Sequence, residues 1–179
     1  MRTRIILFCV SAAVAALSTV GTVAQTQSGA LETRLKVLED REAIRALLVS
    51  YASTLDNRDW AGFELLWAKD AEFVGGGGNS AKGPAAIRDL LKGLLGKNGA
   101  PTPGHDFHLV MNQTIDVKGD TATGYSRGTW VSTSPENNRL QVSIIASYYD
   151  QFVREGGRWK FRRHQIGGEP PAASTASRR

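Results

Sequence analysis

The sequence predicts an α+β domain in which a group of helices precedes a curved, mostly antiparallel sheet. Apolar residues follow the 3.6-residue period of amphipathic helices in the first half of the chain and the two-residue period of strands in the second half. Glycine, proline and asparagine then separate the later strands at short intervals. Helices first and hairpin-connected strands afterwards are typical of helices packed against an antiparallel sheet.

The opening stretch, MRTRIILFCVSAAVAALSTVGTVAQT, is typical of a secretory signal. It has a basic start, an apolar run too short to span a bilayer comfortably, and small residues before a predicted cleavage after Ala24. An uncleaved N-terminal anchor is the alternative. The prediction divides the chain into a signal peptide (1–24), a short linker (25–30), a folded domain (31–168) and a disordered tail (169–179). It also implies that the protein is periplasmic or secreted.

Removal of the signal leaves 155 of the 179 residues and no cysteine, because Cys9 lies in the signal. The mature chain then has neither disulfide nor thiolate, and a metal would need histidine and carboxylate ligands. The formal net charge falls from +5 to +3. No cluster of lysine and arginine alternates with aromatic residues as in a nucleic-acid-binding groove. We therefore predict no nucleic-acid partner and no stable insertion into a membrane.

Three helices are predicted ahead of the sheet. Apolar residues recur at helical spacing between Leu31 and Leu55, with charged residues on the opposite face. Asp59 is the predicted N-cap of a second helix through WAGFELLWA, and AEFV is then a short strand that leads into a glycine loop. Pro84 begins the third helix, PAAIRDLLKGLL, and Gly96 ends it.

The second half of the chain predicts four strands joined by turns. In the first strand, alternation makes one face of Phe107, Leu109, Met111, Ile115 and Val117. His108 falls on the other face, with Val110 and Asn112. The turns VKGDT, PENN and GG separate this strand from ATGYSRGTWVSTS, RLQVSIIASYYDQFVRE and RWKFRRHQI.

Four segments, taken in order, resemble one known family. They are LEDREAIRALLVSYASTLDNRDWAGFELLWAKDAEFVG, GPAAIRDLL, FHLVMNQTIDVKGDTATGYSRGTW and YYDQFVREGGRWKF. Together they are similar to the SnoaL-like branch of the nuclear transport factor 2-like superfamily, over almost all of Leu31 to Gly168. The resemblance implies a cone of three helices against a strongly curved, mostly antiparallel sheet, open at one end to an apolar pocket.

The resemblance also implies candidate catalytic residues. Scytalone dehydratases, bile acid 7α-dehydratases and lindane dehydrochlorinases are similar in using an aspartate late in the first helix and a histidine at the start of a long strand. The matching positions are Asp56 and His108. His108 would be the base and Asp56 would support its protonated form. Tyr51 matches a tyrosine of the bile acid dehydratases, and His164 stands where several relatives have a basic residue. These two would assist the developing or departing oxygen.

Each candidate also has a structural interpretation. Asp56 suits the end of a helix and the turn DNRDW, His108 suits a hydrogen-bonded strand residue, and Tyr51 continues an apolar stripe. A metal site made by His105, Asp106 and His108 is not favoured, because residues three apart on a strand point to opposite faces. The stretch GGGGNSAKG lacks the Gly-Lys-Ser/Thr ending of a phosphate-binding loop and is predicted at the pocket mouth.

Two functions remain open at this point. One is a lyase or dehydratase that needs no cofactor and takes a proton from a small apolar molecule. The other is a non-catalytic module that binds a small ligand or acts as a scaffold. Contact between Asp56 and His108 inside a closed pocket would favour the first. The resemblance further implies a homo-oligomer, a trimer in preference to a dimer, and Ile144 or Ile145 on the outer face of the sheet would suit its interface.

Overall fold

The computed structural model describes residues 6–95, 107–134 and 136–168, with side chains from residue 27 onward. Within these residues the α-helices are α1 (Ile6–Asp56), α2 (Trp60–Leu65) and α3 (Pro84–Leu95). A short 3-10 turn, Gly76–Gly78, lies between α2 and α3. The strands are β1 (Trp67–Val74), β2 (Ser80–Lys82), β3 (Phe107–Lys118), β4 (Thr121–Thr133), β5 (Leu140–Glu155) and β6 (Arg158–Ile166).

The chain divides into two compact units, Met1–Glu39 and Asp40–Arg179. In the first unit the described residues are helical, including residues 25–30 that the sequence predicts as a linker. The second unit begins at Asp40, and the domain start at Leu31 stays a prediction. The signal peptide stays a prediction, and the predicted tail, 169–179, lies outside the described residues. Among the described helices, none has the length and apolar character needed to cross a membrane.

The second unit contains a six-stranded, curved, open sheet with the strand order β2-β1-β6-β5-β4-β3. The β1–β6 pair is parallel, and every other pair of neighbouring strands is antiparallel. Helices packed on this sheet complete the α+β architecture, so the predicted fold class is confirmed. In that architecture the helices and the concave face of the sheet share one core.

Helix α1 contributes to the core through residues three and four positions apart. Ile44, Leu48, Tyr51 and Leu55 are each at most 2% exposed, as expected for one stripe of an amphipathic helix. The predicted stripe is longer than the buried one, because the leucines before residue 40 are exposed. The N-cap of α2 is as predicted, since Asp59 Oδ1 accepts a hydrogen bond of 2.9 Å from the Gly62 amide.

The boundary between α2 and β1 differs from the prediction. The helix ends at Leu65, and Trp67 and Ala68, which the apolar pattern assigns to the helix, belong to β1. Trp67 pairs with Phe161 of β6, and both side chains are almost fully buried. The pairing with a distant strand therefore overrides a local pattern that fits a short helix equally well.

Strand β3 contains a one-residue bulge that the sequence pattern does not reveal. Met111 pairs with Arg127, whereas Thr114 pairs with Tyr125, so β3 has one residue more than β4 between these pairs. Asn112 has a φ of 54° at this point, and the extra residue reverses the faces of the strand. The predicted face of Phe107, Leu109, Met111, Ile115 and Val117 is therefore wrong in its second half. Ile115 shares the inner face with His108, while Leu109 and Met111 are exposed.

The predicted turns around β4 and β6 are present. Gly119 and Asp120 join β3 to β4, and Gly156 and Gly157 join β5 to β6. Gly156 and Gly157 have φ values of 56° and 77°, as a two-residue hairpin turn with positive φ at both positions requires. The PENN turn lies only partly within the described residues, because residue 135 is not among them.

Candidate active site

A cavity of about 530 Å³ opens on the concave face of the sheet. Its walls come from α1, α3, β1 with the following glycine loop, and β3 to β6. It is lined by Tyr51, Leu55, Phe73, Gly75, Gly76, Asn79, Leu91, Leu94, Leu95, His108, Trp130, Ile144, Ala146, Tyr148, Ile166 and Gly167. No lysine, arginine, aspartate or glutamate is among these lining residues. The cavity therefore suits an uncharged, mostly apolar molecule of small size.

Asp56 and His108 meet at this cavity. Asp56 Oδ1 lies 2.6 Å from His108 Nδ1, and the two side chains are only 20% and 10% exposed. Because a carboxylate only accepts hydrogen bonds, the shared hydrogen belongs to Nδ1 and the lone pair lies on Nε2. The structure thus brings together the two residues that the sequence singled out, while their catalytic role stays a prediction.

Two further contacts fix the His108 imidazole. The backbone amide of His108 donates to both oxygens of Asp56, at 3.0 Å each. The ring of Trp130, the partner of His108 on β4, lies parallel to the imidazole with 6.0 Å between ring centroids and 9° between planes. The ring is therefore held in one tautomer and one orientation at the cavity wall.

Tyr51 both lines the cavity and belongs to the core. Its ring packs against Phe63, Phe161 and His164, with centroids 5.7, 5.6 and 4.7 Å away. Burial, followed by the charges of Tyr148 and Asp150, raises the pKa of Tyr51 well above its usual value. Tyr51 therefore keeps its phenol proton at neutral pH and can donate a hydrogen bond into the cavity. The packing interpretation and the functional one are compatible for this residue.

The sequence predicts that His164 faces the cavity, but it is not among the lining residues. Its side chain is 0% exposed, and its Nδ1 lies 2.6 Å from Asp150 Oδ1 on the facing strand. Tyr51 and Tyr148, which do line the cavity, both contact the His164 ring at 4.7 Å between centroids. The register shift between β5 and β6 places His164 within the core, beside Phe73 of β1 and opposite Asp150 of β5. His164 is therefore not among the residues that line the cavity, and its role towards a ligand stays a prediction.

Asp150 and Tyr148 are two residues of this region that the sequence reasoning did not single out as functional. Both lie on the inner face of β5, and both are buried. The glycine turn fixes the hairpin of β5 and β6, and strict pairing from that turn would put Asp150 opposite Arg163. A register shift after Phe152 puts it opposite His164 instead. Strand alternation along SYYDQF could have revealed Tyr148, because it places Tyr148 on the same face as Asp150 and Phe152.

No group of three or more metal-ligating side chains is present among the residues that the structure describes. Asp56 and His108 supply two potential ligands, fewer than metal sites in proteins normally use. His105 and Asp106, the other members of the metal site considered from the sequence, lie outside the described residues.

Comparisons with known proteins identify related folds. Residues 36–165 match the model of the SnoaL-like domain family. A nuclear transport factor 2-like protein with a cystatin-like fold from Novosphingobium aromaticivorans is 28% identical, covers 80% of this chain and 90% of its own, and has a TM-score of 0.66. The structure of LinA is 25% identical, with 80% and 97% covered and a TM-score of 0.63. A hexachlorocyclohexane dehydrochlorinase (LinA) type 2 is 24% identical, with 77% and 98% covered and a TM-score of 0.60, and shows the fold alone. No curated protein matches the sequence significantly.

Proposed function

The chain belongs to the SnoaL-like family, and from this premise we propose that it is a cofactor-independent lyase acting on a small, uncharged, mostly apolar substrate. One observation carries the proposal: the 2.6 Å hydrogen bond between Asp56 and His108 at the wall of an apolar cavity. An aspartate that holds a histidine in one tautomer is the arrangement that a general base needs. The dehydrochlorinase with this fold is an enzyme whose name describes an elimination, which agrees with the proposal.

The proposed chemical step uses the Asp56–His108 pair and Tyr51. His108 Nε2 takes a proton from a substrate carbon, and the electrons of that C–H bond form a C=C bond while the bond to the leaving group breaks. The carboxylate of Asp56 stabilises the imidazolium, and Trp130 stacks on its face. Tyr51 donates a hydrogen bond to the oxygen that gains negative charge or departs. The imidazolium then returns its proton to the leaving group or to water.

Replacement of His108 and Asp56 tests this proposal. The assay screens small, uncharged, mostly apolar compounds that carry a leaving group next to an acidic C–H bond, and it follows the new C=C bond by ultraviolet absorbance. We expect His108→Ala to lower the rate by about 10²–10⁴-fold, since no other described side chain at the cavity can take its place as base. Asp56→Asn should also lower it strongly, because an amide favours the wrong tautomer and does not stabilise the imidazolium.

Asp116→Asn is a matched control for Asp56→Asn. Asp116 is an aspartate within β3, but its side chain is 58% exposed and lies on the outer face. Its replacement should leave the rate unchanged. The proposal fails if His108→Ala keeps full activity on a compound that the unaltered protein converts.

A non-catalytic binding role is the second candidate function. It is favoured by the lining of the cavity, which is apolar at most positions irrespective of the Asp56–His108 pair. A protein that binds apolar ligands, converts none of them and binds equally well after His108→Ala would match this second role.

A further inference from the structure

The side chain of Tyr148 lies over Gly128 on the concave face of the sheet. Tyr148 is on β5 and pairs with Ser126, so Gly128 is the next inward-facing residue along β4. A Cβ atom at Gly128 would overlap both the ring and the hydroxyl oxygen of Tyr148. The absence of a side chain at residue 128 therefore leaves room for the tyrosine ring, and the Tyr148 hydroxyl lies over Gly128. Residues that pair across the strands, such as Gly128 and Val110, form one row of the sheet.

The strand register relates this hydroxyl to His108. Gly128 pairs with Val110 on β3, and Trp130 pairs with His108. The two rows are two residues apart, which corresponds to about 7 Å along a strand. The Tyr148 hydroxyl and the His108 imidazole therefore face one cavity from neighbouring rows of the same sheet face.

The Tyr148 hydroxyl makes no hydrogen bond with the residues that the structure describes. The surrounding cavity wall is mostly apolar, and Tyr148 is one of the few residues in it with a polar side-chain atom. Burial and the nearby carboxylate of Asp150 raise the pKa of Tyr148 to about 12. The hydroxyl is therefore a neutral donor at physiological pH, and it is available to an oxygen in the cavity.

We propose that Tyr148 is a substrate-binding residue whose hydroxyl donates a hydrogen bond to the carbonyl oxygen of a neutral cyclic ketone. The ketone's neighbouring carbon would then face His108, and this second part rests on the proposed lyase function. One ketone can make both contacts, with its carbon about 3–3.5 Å from the imidazole and its oxygen about 2.7–2.8 Å from the hydroxyl. The path through these atoms is bent, so it fits between rows about 7 Å apart. The absence of charged residues from the cavity lining favours a ketone over a carboxylate or phosphate.

A matched pair of ligands isolates the hydrogen bond. 1-Tetralone and tetralin have nearly the same shape and differ by the carbonyl oxygen, and calorimetry measures the binding of each. The unaltered protein should bind the ketone more tightly than the hydrocarbon. Tyr148→Phe keeps the ring over Gly128 and removes only the hydroxyl, so we expect it to weaken ketone binding by about three- to tenfold and to leave tetralin binding unchanged.

Tyr149→Phe is the control variant. Tyr149 is the next residue on β5, but it points to the opposite face and packs against Tyr125, with ring centroids 5.4 Å apart. This variant should keep the preference for the ketone. Three results would overturn the proposal: no preference in the unaltered protein, a preference retained by Tyr148→Phe, or equal losses for both ligands.

The binding experiment is independent of turnover. A ketone preference that Tyr148→Phe abolishes, together with full activity in His108→Ala, would reject the lyase function and keep the Tyr148 site. Loss of turnover in His108→Ala without any ketone preference would reject the Tyr148 site and keep the lyase function.

Discussion

Asp56 makes two different contacts with one residue. Its carboxylate accepts from the His108 ring and from the His108 backbone amide. The ring contact sets the tautomer, and the backbone contact links the end of α1 to the start of β3. Because both contacts use the same carboxylate, the position of the base depends on the same residue that supports its charge. A replacement at residue 56 should therefore affect both geometry and electrostatics.

Burial of Tyr148 predicts that the protein loses stability at alkaline pH. The pKa of Tyr148 is about 12 in the folded protein and about 10 in an unfolded chain. Between these two pKa values the folded state retains a proton that the unfolded state releases. The contribution of the protonated tyrosine to the free energy of unfolding is therefore fully present below about pH 10 and is lost as the pH rises through about 12. The free energy of unfolding, measured with denaturant, should fall less over this range in Tyr148→Phe than in the unaltered protein. Identical slopes for the two proteins would contradict the prediction.

Irregularities within strands decide which side chains reach the cavity. The bulge at Asn112 lets His108 and Ile115 share the inner face of β3, although they are an odd number of residues apart. Gln113 supports the bulge through a hydrogen bond of 3.0 Å from its amide nitrogen to the Val110 carbonyl oxygen. The register shift between β5 and β6 does the same for Asp150 and His164. Regular strands would have separated both sets of residues.

The bulge predicts a specific order of stabilities at residue 112. Asparagine tolerates the observed φ of 54°, whereas a β-branched residue does not. We expect Asn112→Val to lower the free energy of unfolding by about 1–2 kcal/mol and Asn112→Gly to leave it nearly unchanged. Chemical denaturation of the two variants and the unaltered protein measures the difference. Equal stability of the valine and glycine variants would show that the bulge is not retained in solution.

At the scale of the whole molecule, the outer face of the sheet carries exposed apolar residues. Leu109, Met111, Val142 and Ile145 are between 42% and 72% exposed, and the register of β3, β4 and β5 groups them on the convex face. Ile144, which the sequence also offered for an outer interface, lines the cavity instead. Exposed apolar patches of this kind mark association surfaces.

We propose that the protein forms a homo-oligomer, and the family resemblance favours a trimer over a dimer. Ile145→Lys should reduce the oligomer to a monomer, because it introduces a charge into the proposed interface. Leu65→Lys is a matched control, since Leu65 on α2 is also 72% exposed but does not belong to the sheet. Light scattering after gel filtration measures the mass. A monomeric unaltered protein at micromolar concentration would refute the proposal.

We also propose that the chain is exported and cleaved after Ala24, on the basis of its signal-like opening. The intact mass of the protein recovered from the periplasm or medium should correspond to a chain that begins at Gln25. Recovery of a species that retains Met1 would contradict cleavage.

The sequence by itself determined the three helices, five of the six strands, the glycine turns, the cap at Asp59 and the family, but it did not reveal β2, which forms by pairing with β1. The features that it determined depend on the spacing of apolar residues and on turn-forming residues, both of which are visible in short stretches of sequence. The sequence also singled out Asp56 and His108 through their match to a known pattern, and the structure shows that these two side chains are in contact.

Only the tertiary structure decided which residues face the cavity. Strand alternation has a period of two, so one extra residue reverses every face beyond it. That is why the shared face of Ile115 and His108, the burial of His164 and the partner of Asp150 could not be obtained from the sequence. The β1 boundary at Trp67 has the same origin, because pairing with β6 outweighed a local helical pattern. Such pairings depend on contacts between residues far apart in the chain, and no local pattern encodes them.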